Sequence, residues 1–338
     1  MTNKILIVGP AWVGDMVMAQ SLFKVLKQRH PQVVIDVLAP AWSLPILARM
    51  PEVSQGIIMP LGHGKLGLRE RYRLGKSLRA KRYDQAIVLP NSFKSALIPF
   101  FAKIPQRTGW RGEMRYGVLN DARLLDKERY PLMVERFMAL GLPAKTPLTG
   151  AVLAPELYSS AETQDATLNR LQLQRSEKPV LALCPGAEFG PSKRWPETHY
   201  AALAREKLKA GWDVWILGSP KDAEVAETIM QYTDNQCVNL AGRTQLVESI
   251  DLLALARVVI SNDSGLMHIA AAVNKPLVSI YGSTSPAFTP PLHSLAKVVQ
   301  LDLECQPCFK RECPLKHHRC MQNLQPESVL NAMSEFES

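Results

Sequence analysis

The sequence predicts an α/β protein built as two doubly wound domains, and three observations carry that prediction. Short apolar runs of strand length alternate with longer amphipathic stretches. Runs such as Ile5-Leu6-Ile7-Val8 and Ala86-Ile87-Val88-Leu89 are apolar without alternation, as parallel strands covered on both faces require. The pattern breaks at a stretch rich in Pro, Gly and Thr, residues 141–150, and then restarts. At 338 residues the chain has the length of two domains.

In the first half, residues 4–10, 33–39, 57–60 and 84–90 read as strands, and 14–30, 66–82 and 92–103 as the helices between them. Helical connections are what a parallel sheet needs topologically. A helix over 130–140 closes a domain assigned to residues 1–150. Residues 151–178 read as a linker region, because the polar segment 159–178 has no strong strand signal. The second domain, 179–338, is expected to carry strands at 179–184, 213–217, 237–240, 258–261 and 277–281. Its helices are expected at 197–210, 223–232, 246–256 and 264–273, followed by a Cys-rich loop and a terminal helix. Ligands in such folds sit beyond the carboxyl ends of the strands, so the expectation is two domains presenting those ends across a cleft.

With 46% hydrophobic and 21% charged residues the composition excludes a disordered or collagen-like chain. The apolar run 5–8 is too short for a signal peptide or a membrane span, which predicts a cytoplasmic protein. Charge is unevenly divided. Residues 1–150 hold 23 Lys and Arg against 10 Asp and Glu, whereas the remainder holds 17 against 21. An imbalance of that size predicts that the first half faces a polyanion: nucleic acid, an anionic membrane surface or a phosphorylated substrate. The densest run contains Lys65, Arg69, Arg71, Arg73, Lys76, Arg79, Lys81 and Arg82 against Glu70 alone. Tyr72 is its single aromatic residue, which gives little support to base stacking and so to a nucleic-acid-binding protein without enzymatic activity.

Three βα turns carry the chemistry. The first, Gly9-Pro10-Ala11-Trp12-Val13-Gly14-Asp15, has neither the spacing of a dinucleotide fingerprint nor a P-loop. Asp15 there either complements a helix dipole or acts as a general base beside Gly14. The second runs from Pro185 to Pro196 and offers Lys193 as a point charge for phosphate and Ser192 as a hydrogen-bond donor, against the plainer reading of a solvated loop with a helix-starting proline. The third is the sharpest: a buried strand ends in Asn262-Asp263-Ser264-Gly265 and a helix of small residues begins. Asp263 or Ser264 suits a helix cap, and the free N–H groups of Ser264 and Gly265 suit a phosphate. His268, one turn further in, reads as a structural histidine.

Trp12-Val13-Gly14-Asp15, Lys193-Arg194-Trp195-Pro196, Leu240-Ala241-Gly242-Arg243-Thr244 and Asp263-Ser264-Gly265-Leu266-Met267-His268 together resemble the ADP-heptose:lipopolysaccharide heptosyltransferases, in order over nearly the whole chain. The family's common first motif is Ser/Thr-Leu-Gly-Asp. The form around Trp12, with Pro90-Asn91-Ser92-Phe93-Lys94-Ser95-Ala96 and the segment 108–117, is similar to the heptosyltransferase II branch. The resemblance implies a GT-B glycosyltransferase of two Rossmann-like domains, acceptor on the first and nucleotide sugar on the second. It implies heptose transfer with inversion from ADP-heptose to the first heptose of heptosyl-Kdo2-lipid A, on the cytoplasmic face of the inner membrane and without a catalytic metal or cofactor. Heptosyltransferases I and III, which differ in acceptor, are the nearer alternatives.

Carried over by position, Asp15 is the base. Lys193, Ser192, Ser264 and Gly265 stabilise departing ADP, and Asp263 holds heptose hydroxyls. Leu240, Gly242 and Thr244 line the adenosine pocket, and Glu224 binds ribose. Lys65, Lys94, Arg107, Arg111 and Arg115 are candidates for the acceptor's carboxylates and phosphates, Arg offering bidentate geometry. The remaining positive surface is expected to meet anionic lipid. The sequence Cys305-x2-Cys308-x4-Cys313-x6-Cys320 leaves three readings open: a structural zinc taking no part in transfer, reduced thiols, or disulfides.

Overall fold

The computed structural model describes residues 4–62 and 64–337, so Met1–Asn3 of the amino-terminal reading lie outside the described residues. The chain divides into two compact units, Met1–Pro155 and Glu156–Ser338. The first contains β1 (Lys4–Val8), α1 (Val13–Arg29), β2 (Val34–Ala39), α2 (Leu44–Leu47), β3 (Gln55–Ile58), α3 (Leu68–Leu78), β4 (Gln85–Val88), α4 (Phe93–Phe101), β5 (Gln106–Trp110), β6 (Asp121–Arg123) and α5 (Met133–Leu140). Its sheet runs β3-β2-β1-β4-β5-β6 and every pairing is parallel. The chain moves outward from β1 in one direction and then returns to β4 on its other side, the order of a doubly wound sheet.

The second unit contains α6 (Ala161–Leu171), β7 (Val180–Cys184), α7 (Glu197–Lys209), β8 (Asp213–Ile216), α8 (Ala223–Tyr232), β9 (Val238–Asn239), α9 (Leu246–Leu255), β10 (Val258–Asn262), α10 (Gly265–Ala272), β11 (Leu277–Ile280), β12 (Ala296–Val299), α11 (Arg319–Gln322) and α12 (Pro326–Ser334). Its parallel sheet runs β12-β11-β10-β7-β8-β9. The central strands β1, β7 and β10 are apolar runs buried along almost their whole length, as their lack of alternation requires.

Three strands escaped the hydrophobic pattern. β5 reads Gln-Arg-Thr-Gly-Trp, and polar side chains rather than an apolar run tie it across the sheet. The Thr108 hydroxyl donates to Asp121 Oδ2 on β6 at 2.9 Å and accepts from Gln85 Nε2 on β4 at 3.0 Å. β6 and β12 are short edge strands and half-buried, so burial imposes no pattern on them. The segment 151–178 holds a helix rather than a plain connection. Ser160 caps α6 by accepting from the Thr163 N–H at 3.2 Å, and Leu168 and Leu171 are buried. The buried Asp251 of α9 accepts from the hydroxyls of Ser159, Thr163 and Thr167 at 2.7, 2.8 and 3.2 Å, binding the segment to the second unit.

Candidate active site

In the second unit, the loops after β7, β10 and β11 converge. β10 ends at Asn262, wholly buried, whose side chain accepts from the Trp195 N–H at 3.2 Å and the Tyr200 hydroxyl at 3.1 Å. Its Nδ2 donates to the Pro185 carbonyl at 2.6 Å. One amide thereby fixes both ends of the 185–196 loop against the start of α10. The loop's short helical turn, Pro191–Lys193, brings Lys193 Nζ to 2.6 Å from Asp263 Oδ2. Thr284, in the turn after β11, donates its hydroxyl to the same oxygen at 2.5 Å. The pair is largely dehydrated, the two side chains being 13% and 5% exposed, so it interacts more strongly than a surface ion pair. Phe189 covers the ammonium, its ring centre 4.9 Å from Nζ.

Ser264 caps α10, its hydroxyl accepting from the Met267 N–H at 3.5 Å and pairing with Ser261 at 3.1 Å. The N–H groups that open a helix have no intrahelical acceptor, and here that end lies beside Lys193. His268 lies buried behind it. Burial, partly opposed by Asp263 and aided by Lys193, holds its pKa down at about 4, so it is a neutral imidazole near neutral pH.

Ser192 departs from its expected role. It is buried, its hydroxyl donates to the Lys310 carbonyl at 2.5 Å, and its N–H donates to the Arg311 carbonyl at 3.2 Å. A serine has one O–H donor, so Ser192 holds the loop to the segment 310–311 rather than a phosphate. Ser283 completes the clasp at 2.9 Å from the Ser192 hydroxyl, and the Phe309 N–H donates to the Ser283 carbonyl at 2.7 Å.

The Cys-rich segment is therefore a strap over the β7 and β11 loops. All six cysteines are free thiols, and among the described residues no three His, Cys, Asp or Glu side chains gather as an ion would require. Cys305, Cys308 and Cys313 nevertheless lie within electrostatic reach of Cys320. Burial, with Cys305, Cys313 and Cys308 adding, pushes the Cys320 thiol up to about 11.

The adenosine candidates are spread along the same sheet end. Leu240 is wholly buried, whereas Gly242 and Thr244 reach the surface. Gly242 sits at φ +73°, a left-handed turn held by its N–H bond to the Gly218 carbonyl at 3.0 Å. Glu224 is exposed in the first turn of α8.

In the first unit, Asp15 is half-buried in the first turn of α1. The five cationic candidates separate into two kinds. Lys65 and Arg111 are exposed and Lys94 is half-buried. Arg115 is 2% exposed, with its Nη1 donating to the Pro90 carbonyl at 2.7 Å and its Nη2 to the Trp110 carbonyl. Arg107 donates Nε to the Val118 carbonyl and Nη1 to the Ile104 carbonyl, each at 2.6 Å. Both guanidiniums turn inward to staple loops, which corrects their assignment to the acceptor, and burial lowers the pKa of each. Sequence reasoning missed Asn262, Ser283 and Thr284. Asn262 stood within the quoted motif, but Thr284 had no signal beyond following a strand end.

A model of glycosyltransferase family 9 (heptosyltransferase) matches residues 71–319. The chain is 51% identical to lipopolysaccharide heptosyltransferase 2 of Escherichia coli (strain K12), over 98% of this chain and 97% of that relative. It is 49% identical to lipooligosaccharide heptosyltransferase 2 of Haemophilus influenzae, over 98% and 99%. Among solved structures, that of E. coli ADP-heptose lps heptosyltransferase II matches with a TM-score of 0.89 at 48% identity, covering 98% of each chain. E. coli heptosyltransferase WaaC with ADP shares the fold, with a TM-score of 0.71 at 20% identity over 98% of this chain and 99% of that one.

Proposed function

The chain belongs to glycosyltransferase family 9 and is a heptosyltransferase of lipopolysaccharide core assembly, and from that premise we propose that it transfers L-glycero-D-manno-heptose from ADP-heptose to the first heptose of heptosyl-Kdo2-lipid A, with inversion. The observation that carries this reading is the Lys193–Asp263–Thr284 cluster at the start of α10. It offers a cation and unpaired helix N–H groups to a diphosphate, and a carboxylate to sugar hydroxyls.

In the reaction, Asp15 takes the proton of the acceptor hydroxyl as its oxygen bonds to the anomeric carbon of heptose. The bond from that carbon to the β-phosphate oxygen breaks on the opposite face, and ADP leaves. Lys193 and the N–H groups of Ser264 and Gly265 meet its developing charge. These dipoles are already in place, the condition under which such groups lower a barrier. Asp263 orients heptose hydroxyls while Thr284 fixes its carboxylate. Gly242 and Thr244, with the Leu240 backbone, border the adenosine, and Glu224 binds ribose. No divalent ion or other cofactor takes part in this reading. Lys65, Lys94 and Arg111 meet the anionic core sugars, and the enzyme works at the cytoplasmic face of the inner membrane.

Product mass after incubation with ADP-heptose and EDTA tests donor, acceptor and metal independence together. One heptose added to heptosyl-Kdo2-lipid A, and none to Kdo2-lipid A, is the expected result. Transfer to Kdo2-lipid A instead assigns the chain to the first heptose. Transfer lost in EDTA and restored by a divalent ion overturns the metal-free mechanism.

A further inference from the structure

We propose that the outer face shared by α3 and α4 is a docking surface for an anionic lipid bilayer, with Leu68, Tyr72 and Phe100 entering the headgroup layer and Arg69, Arg73 and Lys76 meeting lipid phosphate. The proposal rests on the lipid-linked acceptor of the preceding reading and adds where the enzyme meets the lipid.

Helical geometry sorts α3 into two sides. At 3.6 residues per turn, positions 68, 72, 76, 69 and 73 fall within an arc of about 140°, and all five side chains are exposed. Arg71, Gly75 and Leu78 fall outside that arc and are buried. Gly75 permits a close approach of α4, since a Cβ there would stand 2.6 Å from Phe101 Cβ. The approach joins the two helices through aromatic rings. Tyr72 meets Phe101 edge-on at 5.3 Å, Phe101 meets Phe100 at 5.7 Å, and the Arg107 guanidinium lies 5.7 Å from the Phe100 ring centre.

Leu68, Tyr72 and Phe100 remain 53%, 45% and 42% exposed. Apolar side chains set singly among cations suit an interface that is apolar below and anionic above. Glu70 is the only acid of α3, and each cation near such a surface strengthens binding about fivefold. Among the described residues no helix is long and apolar enough to cross a membrane, so this contact lies in the interface. Nucleic acid is the poorer fit, because Tyr72 is engaged with Phe101 instead of belonging to a series of free rings. The face also connects to the acceptor side. Arg71, on the inward side of α3, donates Nε to the Leu66 carbonyl at 2.6 Å and Nη2 to the Lys65 carbonyl at 3.3 Å. The helix that meets lipid therefore carries the loop of an acceptor candidate.

The test is co-sedimentation of the full chain with vesicles of phosphatidylcholine alone or mixed with phosphatidylglycerol, using wild type, Leu68→Asp/Tyr72→Asp and Arg69→Gln/Arg73→Gln. Thermal midpoints establish that the variants are folded, and transfer to a deacylated, water-soluble acceptor shows that the site is intact. Wild type is expected to bind the anionic vesicles at least tenfold more tightly than the neutral ones, and each double variant to lose about tenfold or more of that binding. Folded, active variants that bind anionic vesicles like wild type overturn the proposal. So does equal binding of wild type to both vesicles, or its displacement by an oligonucleotide at equal phosphate concentration. A wild type that docks through these residues but transfers no heptose to any core acceptor leaves the surface standing and sinks the functional reading instead.

Discussion

The two units use positive charge in opposite ways. In the second, which carries slightly more acids than bases, the lysine that matters is half-buried, paired with Asp263 and covered by an aromatic ring. In the first, with its large excess of bases, the cations divide between exposed groups such as Lys65 and Arg111 and inward staples such as Arg71, Arg107 and Arg115. A donor diphosphate of fixed shape suits a preorganised pocket with few, exactly held charges, whereas a large acceptor at a surface suits many exposed ones. Residue type alone does not separate ligand from staple. Whether the backbone nearby leaves carbonyls without partners decides it, since a buried arginine satisfies several at once.

The largest expected effect concerns the first unit's single acid in this scheme. Asp15→Asn keeps the shape and removes the base, so turnover is expected to fall about 10²-fold to 10⁴-fold in a steady-state assay while the KM for ADP-heptose changes little. Next comes a stability contrast between two arginines of one loop. Arg115→Ala leaves buried carbonyls unsatisfied and is expected to lower unfolding free energy by about 2–4 kcal/mol in denaturant titration.

His268 sharpens the contrast for the second unit through pH. Its native pKa of about 4 lies below the unfolded value of 6.5, so the unfolded state binds the proton more readily. The stabilising difference is complete above pH 6.5, declines as pH falls, and is lost below about pH 4. At most ~3 kcal/mol follows that course, and His268→Gln is expected to flatten it when unfolding is measured between pH 7 and 4. The smallest effect is Arg111→Ala, with an acceptor KM raised roughly tenfold and stability altered by less than about 0.5 kcal/mol.

The same contrast explains what was legible in the sequence. Strands buried on both faces, such as β1 and β10, announce themselves as apolar runs, and their loops carry recognisable motifs. β5 holds its neighbours through Thr108 and so looks polar. The strand-to-helix turns that hold Asp15, Lys193 and Asp263-Ser264-Gly265 were readable as turns because each motif is local to one of them. Thr284 and the Ser192–Ser283 clasp were not, because they depend on which turns the sheet order places side by side. Arg107 and Arg115 were misread for the complementary reason: the carbonyls that hold them are mostly not adjacent in sequence.

The central claim is that proton removal belongs to the first unit and leaving-group charge to the second. Calorimetric ADP-heptose affinity and single-turnover rate, measured side by side for Asp15→Asn and Lys193→Ala, test it most directly. The account predicts that Asp15→Asn binds donor like wild type and reacts at least about 10²-fold more slowly. It predicts that Lys193→Ala loses about tenfold or more of donor affinity. Asp15→Asn reacting at the wild-type rate, or Lys193→Ala binding donor unchanged and reacting normally, would contradict it.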